Sequence, residues 1–325
     1  MRKFDFLSQR YVGYTISAVL FVLTIVLYFT PAYTLKYGVD FKGGTELHFK
    51  FSKPVSDDKI RQVLKDECGM GSSVVQSTYT GDAETAETVI LKGESREKII
   101  KTEFLANEAY KDKVSGKEVK SLKEMREKFD AGLAKIDKDL KIEDTLRETS
   151  VGPAVGSELR TQAIFAVMMA LIGILLYVTY SFEFKFALPA IIALFHDVIV
   201  VLGVIMLVGI EFDMAQLAVL LTVVGYSIND TIIVCDRIRE NYKIMRKSSY
   251  YDMVNESLGQ VFSRTVITVL TTLLPLISIF FFGGEVLGGF AITMIAGMIV
   301  GCYSSLFVVA PMIVLWKTYE EKVVA

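Results

Sequence analysis

Cysteine is scarce in this 325-residue chain. Cys68, Cys235 and Cys302 stand far apart, with none of the paired spacings that mark a zinc site or a disulfide framework. Thiolate metal sites and a stapled fold are therefore excluded, and no metal or other cofactor is expected. Net charge is nearly absent as well: −2 overall selects neither a polyanionic nor a polycationic partner. Charge is also missing from most of the chain's length. It crowds into residues 36–160 and 236–264, leaving mostly apolar runs at 11–30, 162–180, 186–210, 214–236, 264–283 and 287–316. A hydrocarbon core of ~30 Å takes about 20 apolar residues per helix. Six such runs, in a chain that is 52% hydrophobic, exclude an ordinary soluble domain. The expected fold is a polytopic α-helical membrane protein with six transmembrane helices.

A cleavage signal is also lacking. No small-x-small site follows the first run at "TPAYTLKYG", and the run is longer than a typical signal-peptide core, so it reads as a retained anchor. Basic residues in short loops orient such a chain. Arg2, Lys3 and Arg10 precede the first run, five lysines and arginines between Arg237 and Lys247 follow the fourth, and Lys317 follows the sixth. Glu211, Asp213 and Glu285 fall on the opposite side. Residues 1–10 and 317–325 are thus expected in the cytoplasm, with 11–30 a transmembrane helix and 31–160 an extracytoplasmic domain. Residues 161–316 are expected to form five more spans, with a cytoplasmic amphipathic loop at 237–263. There Tyr251, Val254, Leu258 and Val261 recur at helical spacing behind a Ser249-x-x-Asp252 capping signal, predicting a short helix on the inner membrane surface.

The extracytoplasmic segment has its own periodicities. Residues 36–51 alternate as a half-buried strand, and 56–68 carry Ile60, Val63 and Leu64 at helical spacing, closed by Gly69. Residues 73–80 and 88–92 read as strands, the charged stretch 94–139 as helical with a break near Ser115–Gly116, and 142–150 as a last strand. The order β-α-β-β-α-β is that of a ferredoxin-like module. No Gly-Lys-Ser/Thr follows Gly43–Gly44, so the pair reads as a bend or bulge, not a phosphate loop. Mixed charge signs along 94–139 argue against nucleic acid.

The membrane runs contain a few polar residues. In "GYSINDTIIVCDRIREN", Tyr226, Asn229 and Asp230 share a helix face with Thr222. An ionisable group in a span is costly and marks an ion pathway or a partner. The fifth run opens with Arg264, and Thr268 and Thr272 follow on one face. Arg264 either pairs with Asp230 or snorkels to the interface. In the third run, His196 and Asp197 point about 100° apart, so at most one shares the Asp230 cavity. The pair reads either as a second step of a proton path or as a satisfied interhelical hydrogen bond. Gly289, Thr293, Gly297, Gly301 and Ser305 recur every four residues, a stripe that admits a close helix neighbour. Pro189 and Pro275 mark kinks or helix entries.

Five stretches in order, "YGVDFKGG", "VGPAVGSELR", "FHDVIVVLG", "GYSINDTIIVCDRIREN" and "RTVITVLTTLLPLISIFFFGG", resemble the SecF family of protein-export subunits, relatives of the resistance-nodulation-division transporters. The resemblance runs from the first span to the sixth. It implies an accessory transport subunit of the bacterial inner membrane that is not an enzyme. Such a subunit pairs with SecD in a pseudo-two-fold heterodimer, associates with the SecYEG channel and YajC, and uses the proton-motive force to draw preproteins outward. It further implies a proton relay at Asp230 with Asn229, Arg264 and Thr268. His196, Asp197 and Tyr226 would be secondary members. The 94–139 stretch is longer than that family leads one to expect. A proton-driven exporter of small molecules or lipids, and a purely structural assembly subunit, are the competing readings. An intramembrane aspartyl protease is excluded, because Gly-x-Gly-Asp is missing and position 229 is Asn.

Overall fold

The computed structural model describes residues 5–78, 94–105, 110–111, 118–119 and 121–324. In chain order its elements are α1 (Arg10–Phe29), α2 (Val39–Lys42), β1 (Gly44–Ser56), α3 (Asp57–Asp66), β2 (Val74–Thr78) and β3 (Glu94–Thr102). Then come the short pair β4 (Tyr110–Lys111) and β5 (Glu118–Val119), α4 (Leu122–Ile136), β6 (Ile142–Val151) and α5 (Pro153–Ser181). The chain ends with α6 (Phe184–Val208), α7 (Met214–Ile244), α8 (Tyr250–Phe282), α9 (Gly284–Ser304), a π-helical turn (Ser305–Val309) and α10 (Ala310–Val324). Two compact units result, residues 37–164 with 279–288 and the remainder.

The first of these units holds a four-stranded sheet in the order β2-β3-β1-β6, each neighbouring pair antiparallel. With α3 after β1 and α4 before β6, this is the ferredoxin-like arrangement. On β1, Leu47, Phe49 and Phe51 are fully buried on the face that meets Ile60 and Leu64 of α3 and Phe129 and Leu133 of α4. The rings of Phe49 and Phe129 stack with centroids 6.1 Å apart. Each such side chain contributes about 1.5–3 kcal/mol on burial. A Cβ on Gly132 would stand 2.5 Å from Val63, so α3 and α4 approach closely because position 132 has no side chain.

Two details differ from the sequence reading. Glu94–Thr102 is a strand, not the start of a helix, pairing with both β1 and β2. Its charges hide the alternation: Lys98 is wholly buried on the core face with Ile100, and its ammonium lies 2.5 Å from Asp57 and 2.5 Å from Ser77. The run at 88–92 and the break at 115–116 lie outside the described residues. Strand β1 begins only at Gly44, because Val39–Lys42 forms one helical turn. The glycine pair is a bend: Gly43 has φ +77°, and a Cβ on Gly44 would stand 2.7 Å from the Thr102 carbonyl oxygen.

The other unit is helical. Across the chain, Leu7–Phe29, Pro153–Ser181, Phe184–Val208, Met214–Ile244, Tyr250–Phe282 and Leu287–Tyr319 are long and apolar enough to cross a membrane. Large apolar side chains such as Phe165, Leu176, Ile267 and Leu274 are exposed along α5 and α8, as suits a lipid environment. Close helix approach follows the small residues. Thr24 of α1 sits where a side chain on Gly203 of α6 would be, and Val223 of α7 where one on Gly297 of α9 would be. Gly289 faces Ile210 and Gln216, and Gly301 faces Ser227. Pro189 and Pro275 both lie inside helices.

The amphipathic stretch after the fourth span is not a separate surface helix. Ser249 caps it, accepting from the Asp252 N–H at 3.0 Å, and the helix then runs unbroken from Tyr250 to Phe282. Its apolar residues Met253, Val254, Leu258 and Val261 are buried against Val234, Ile238 and the last helices, so protein covers this face, not lipid.

Candidate functional site

Two carboxylates lie within the helical unit, each held by hydroxyls from other helices. Asp230 of α7 accepts from Thr265 of α8 (Oγ1 to Oδ1, 2.9 Å) and from Ser305 at the π-turn (Oγ to Oδ2, 2.6 Å). Asp197 of α6 is 1% exposed. Its Oδ2 accepts from Ser227 of α7 at 2.5 Å and from Ser304 of α9 at 2.7 Å, and its Oδ1 lies 2.9 Å from Nδ1 of His196.

Beside Asp230 is a cavity of about 30 Å³, room for one or two waters. Its walls include Tyr226, Ser227, Asn229, Arg264, Thr265, Thr268 and Cys302. Gly297 and Gly301 also line it.

The sequence-predicted residues divide as follows. Asp230, Asn229, Tyr226, Arg264 and Thr268 all line this one cavity. Tyr226 and Asn229 are also exposed on the outer face of α7, together with Thr222 and Gly225. His196 and Asp197 do not line it, and Ser227 stands between Asp197 and the open space. Of the two readings of Arg264, the ion pair with Asp230 is not formed: Arg264 lines the cavity and, among the described residues, stays beyond 4 Å of any carboxylate. The threonine that binds Asp230 is Thr265, while Thr268 spends its hydroxyl on the Arg264 carbonyl oxygen at 2.9 Å. A threonine four residues along a helix donates readily to the backbone behind it, and this geometry takes Thr268 out of contact.

Ser227, Ser304 and Thr265 were not singled out from the sequence. The signal was there: a Ser304–Ser305 doublet interrupts an apolar run, and Ser227 precedes Asp230 by three residues on α7. The π-turn that begins at Ser305 gave no signal in the pattern, though such turns occur often at functional sites.

This arrangement can take up and release a cation at one carboxylate. Among the described residues Asp230's hydrogen-bond partners are neutral hydroxyls, which serve both the ionised and the protonated group. Arg264 lines the same cavity.

Residues 130–319 match the family described as protein export membrane protein SecD/SecF, C-terminal, and residues 28–55 match the SecD/SecF GG motif, which contains the Gly43–Gly44 bend. The chain is 36% identical to protein translocase subunit SecF of Desulfurispirillum indicum, covering 96% of this chain and 91% of that one. It is 37% identical to the SecF of Calditerrivibrio nitroreducens, covering 98% and 95%. A crystal structure of SecDF from Thermus thermophilus, titled a translocon-associated membrane protein, superposes with a TM-score of 0.78 at 35% identity. That match takes in 98% of this chain but 39% of the SecDF chain. The chain is a member of the SecF family of protein translocase subunits.

Proposed function

We propose that this accessory subunit of Sec protein export works as one half of a proton-driven machine in the bacterial inner membrane. Asp230 carries the proton, Thr265 and Ser305 hold the carboxylate in place, and Arg264 is the alternating countercharge. The observation that carries the reading is the shared cavity: among the described residues the carboxylate is bound by hydroxyls, and Arg264, which forms no ion pair there, lines the same space. Approach of Arg264 favours the ionised form, and its withdrawal together with burial favours the protonated one. Each proton crossing the membrane supplies ~2.3 kcal/mol per 100 mV, enough for a modest helix rearrangement.

The cavity is completed by a second subunit. Thr222, Gly225, Tyr226 and Asn229 make a small and polar outer face on α7, poorly suited to lipid and well suited to another helix. The Thermus SecDF relative, more than twice as long as this chain, supports SecD as that subunit; SecYEG and YajC beside it, and preprotein as cargo, belong to the same proposal. By the basic-residue rule both termini are cytoplasmic and residues 31–160 lie outside.

The test is proton flux into vesicles carrying the assembled complex and an internal pH dye. Asp230→Asn should abolish the flux that accompanies export, in potassium and in sodium buffer alike. Flux retained by Asp230→Asn would remove Asp230 from the path, and flux that requires sodium would replace the ion.

A further inference from the structure

Proton carriage uses Asp230 alone, yet Asp197 is likewise bound by hydroxyls of other helices, and adjacent residues bind the two carboxylates. Ser304 donates to Asp197 at 2.7 Å and Ser305 to Asp230 at 2.6 Å. The link is doubled on α7, where Ser227 donates to Asp197 at 2.5 Å and Asp230 lies three residues on. We propose that Asp197, together with His196, is a second functional node of the same site, a positioning pair that reads the state of Asp230 through the Ser304–Ser305 doublet. The inference rests on the proton-carrier reading of Asp230.

Three observations carry it. First, Asp197 is 1% exposed and has no lysine or arginine within ion-pair distance among the described residues, so a purely structural role would have been served at less cost by a neutral side chain. Secondly, His196 is nine-tenths buried, and its Nε2 has no hydrogen-bond partner. With Nδ1 turned to Asp197, that nitrogen is a buried polar atom left over from packing, as at sites that bind water or pass a proton. Thirdly, the helix carrying both serines widens into the π-turn Ser305–Val309 directly at the doublet, where its ladder is least regular.

A connected movement follows from this geometry. When a proton arrives on Oδ2 of Asp230, that oxygen becomes a donor, and the Ser305 hydroxyl accepts from it and turns its own proton to the Cys302 carbonyl oxygen, 2.9 Å away. Ser305 and Ser304 share one backbone, so the change alters the Ser304 bond to Asp197. No bond other than hydrogen bonds is made or broken, and the proton remains on Asp230. Among the described residues, the titratable or charged groups that line the cavity with Asp230 are Tyr226 on α7, Arg264 on α8 and Cys302 on α9, and the one beside Asp197 is His196. On α1 the buried titratable group is Tyr14.

The test is pH-difference infrared spectroscopy of the full chain in its membrane complex, reading carboxyl and carboxylate bands. Wild type should show a protonation band from Asp230 and a second, shifted band from Asp197. Asp230→Asn should remove both. Ser304→Ala should keep the Asp230 band and lose the Asp197 shift, with Ser304→Thr restoring it. Asp197→Asn, whose amide oxygen still accepts from the serines, should move the pH midpoint of the Asp230 band. The inference is overturned if Asp197→Asn and Ser304→Ala spectra both superimpose on wild type while Asp230→Asn removes a band. Should Asp230→Asn itself leave the spectrum unchanged, the proton-carrier reading fails and this inference with it.

Discussion

Thr265 donates its hydroxyl to Asp230 across 2.9 Å, while its neighbour Arg264 reaches the same cavity without touching the carboxylate. Two consecutive residues of α8 thus present a permanent hydroxyl contact and a withdrawn positive charge. The pairing predicts different mutant behaviour. Thr265→Val keeps the shape and removes the donor, a hydrogen bond to a charged acceptor worth about 1.5–3 kcal/mol. It should lower gradient-driven export by about ten-fold or more, whereas Thr268→Val should have a smaller effect. Export rates at matched protein levels decide this, and equal losses at both positions would contradict it.

Close approach of α7 and α9 depends on Gly297, since Val223 occupies the space where a side chain would begin. Gly297→Ala should destabilise the protein by about 1–3 kcal/mol through overpacking. Val223→Ala in the same chain should recover most of that loss, as read by thermal unfolding of the purified protein.

In the unit that holds the four-stranded sheet, Lys98 is fully buried against Asp57, which is 28% exposed. Removing one partner of a buried pair costs about 3–5 kcal/mol. Asp57→Ala leaves the buried ammonium without its carboxylate and should fall within that range, while Asp57→Ala with Lys98→Met should be much closer to wild type. Urea midpoints for the single and double variants measure the difference.

Burial holds the His48 imidazole below its ordinary value, against the opposing pull of Glu97 and Glu46. A histidine depressed in the folded state binds protons more readily when unfolded. Stability from this group is therefore full above the ordinary pKa of ~6.5 and declines as pH falls through it. Hydrogen exchange of β1 and β3 amides, corrected for intrinsic rates, should quicken between about pH 7.5 and 5.5. His48→Gln should flatten that trend.

The fold was legible where a single period dominated. Six apolar runs gave the membrane helices, and alternating Leu47, Phe49 and Phe51 gave β1. It was hidden where charge sat on a buried face, as with Lys98 in β3, or where protein covered an amphipathic face, as at Val254 and Leu258. At the site, the rare groups were visible because an aspartate in a span has no ordinary explanation. The hydroxyls that bind it were not, since serine and threonine are common in membrane helices and most bond their own backbone. Thr265 and Thr268 differ in role only through the turn of α8, which spacing alone does not resolve.

The central claim is that Asp230 couples the ion gradient to export. Preprotein export into membrane vesicles, with and without a proton gradient, should give Asp230→Asn the same basal rate as wild type and none of the gradient-dependent increase. An increase of wild-type size in Asp230→Asn would contradict the account and leave Asp230 a polar packing residue.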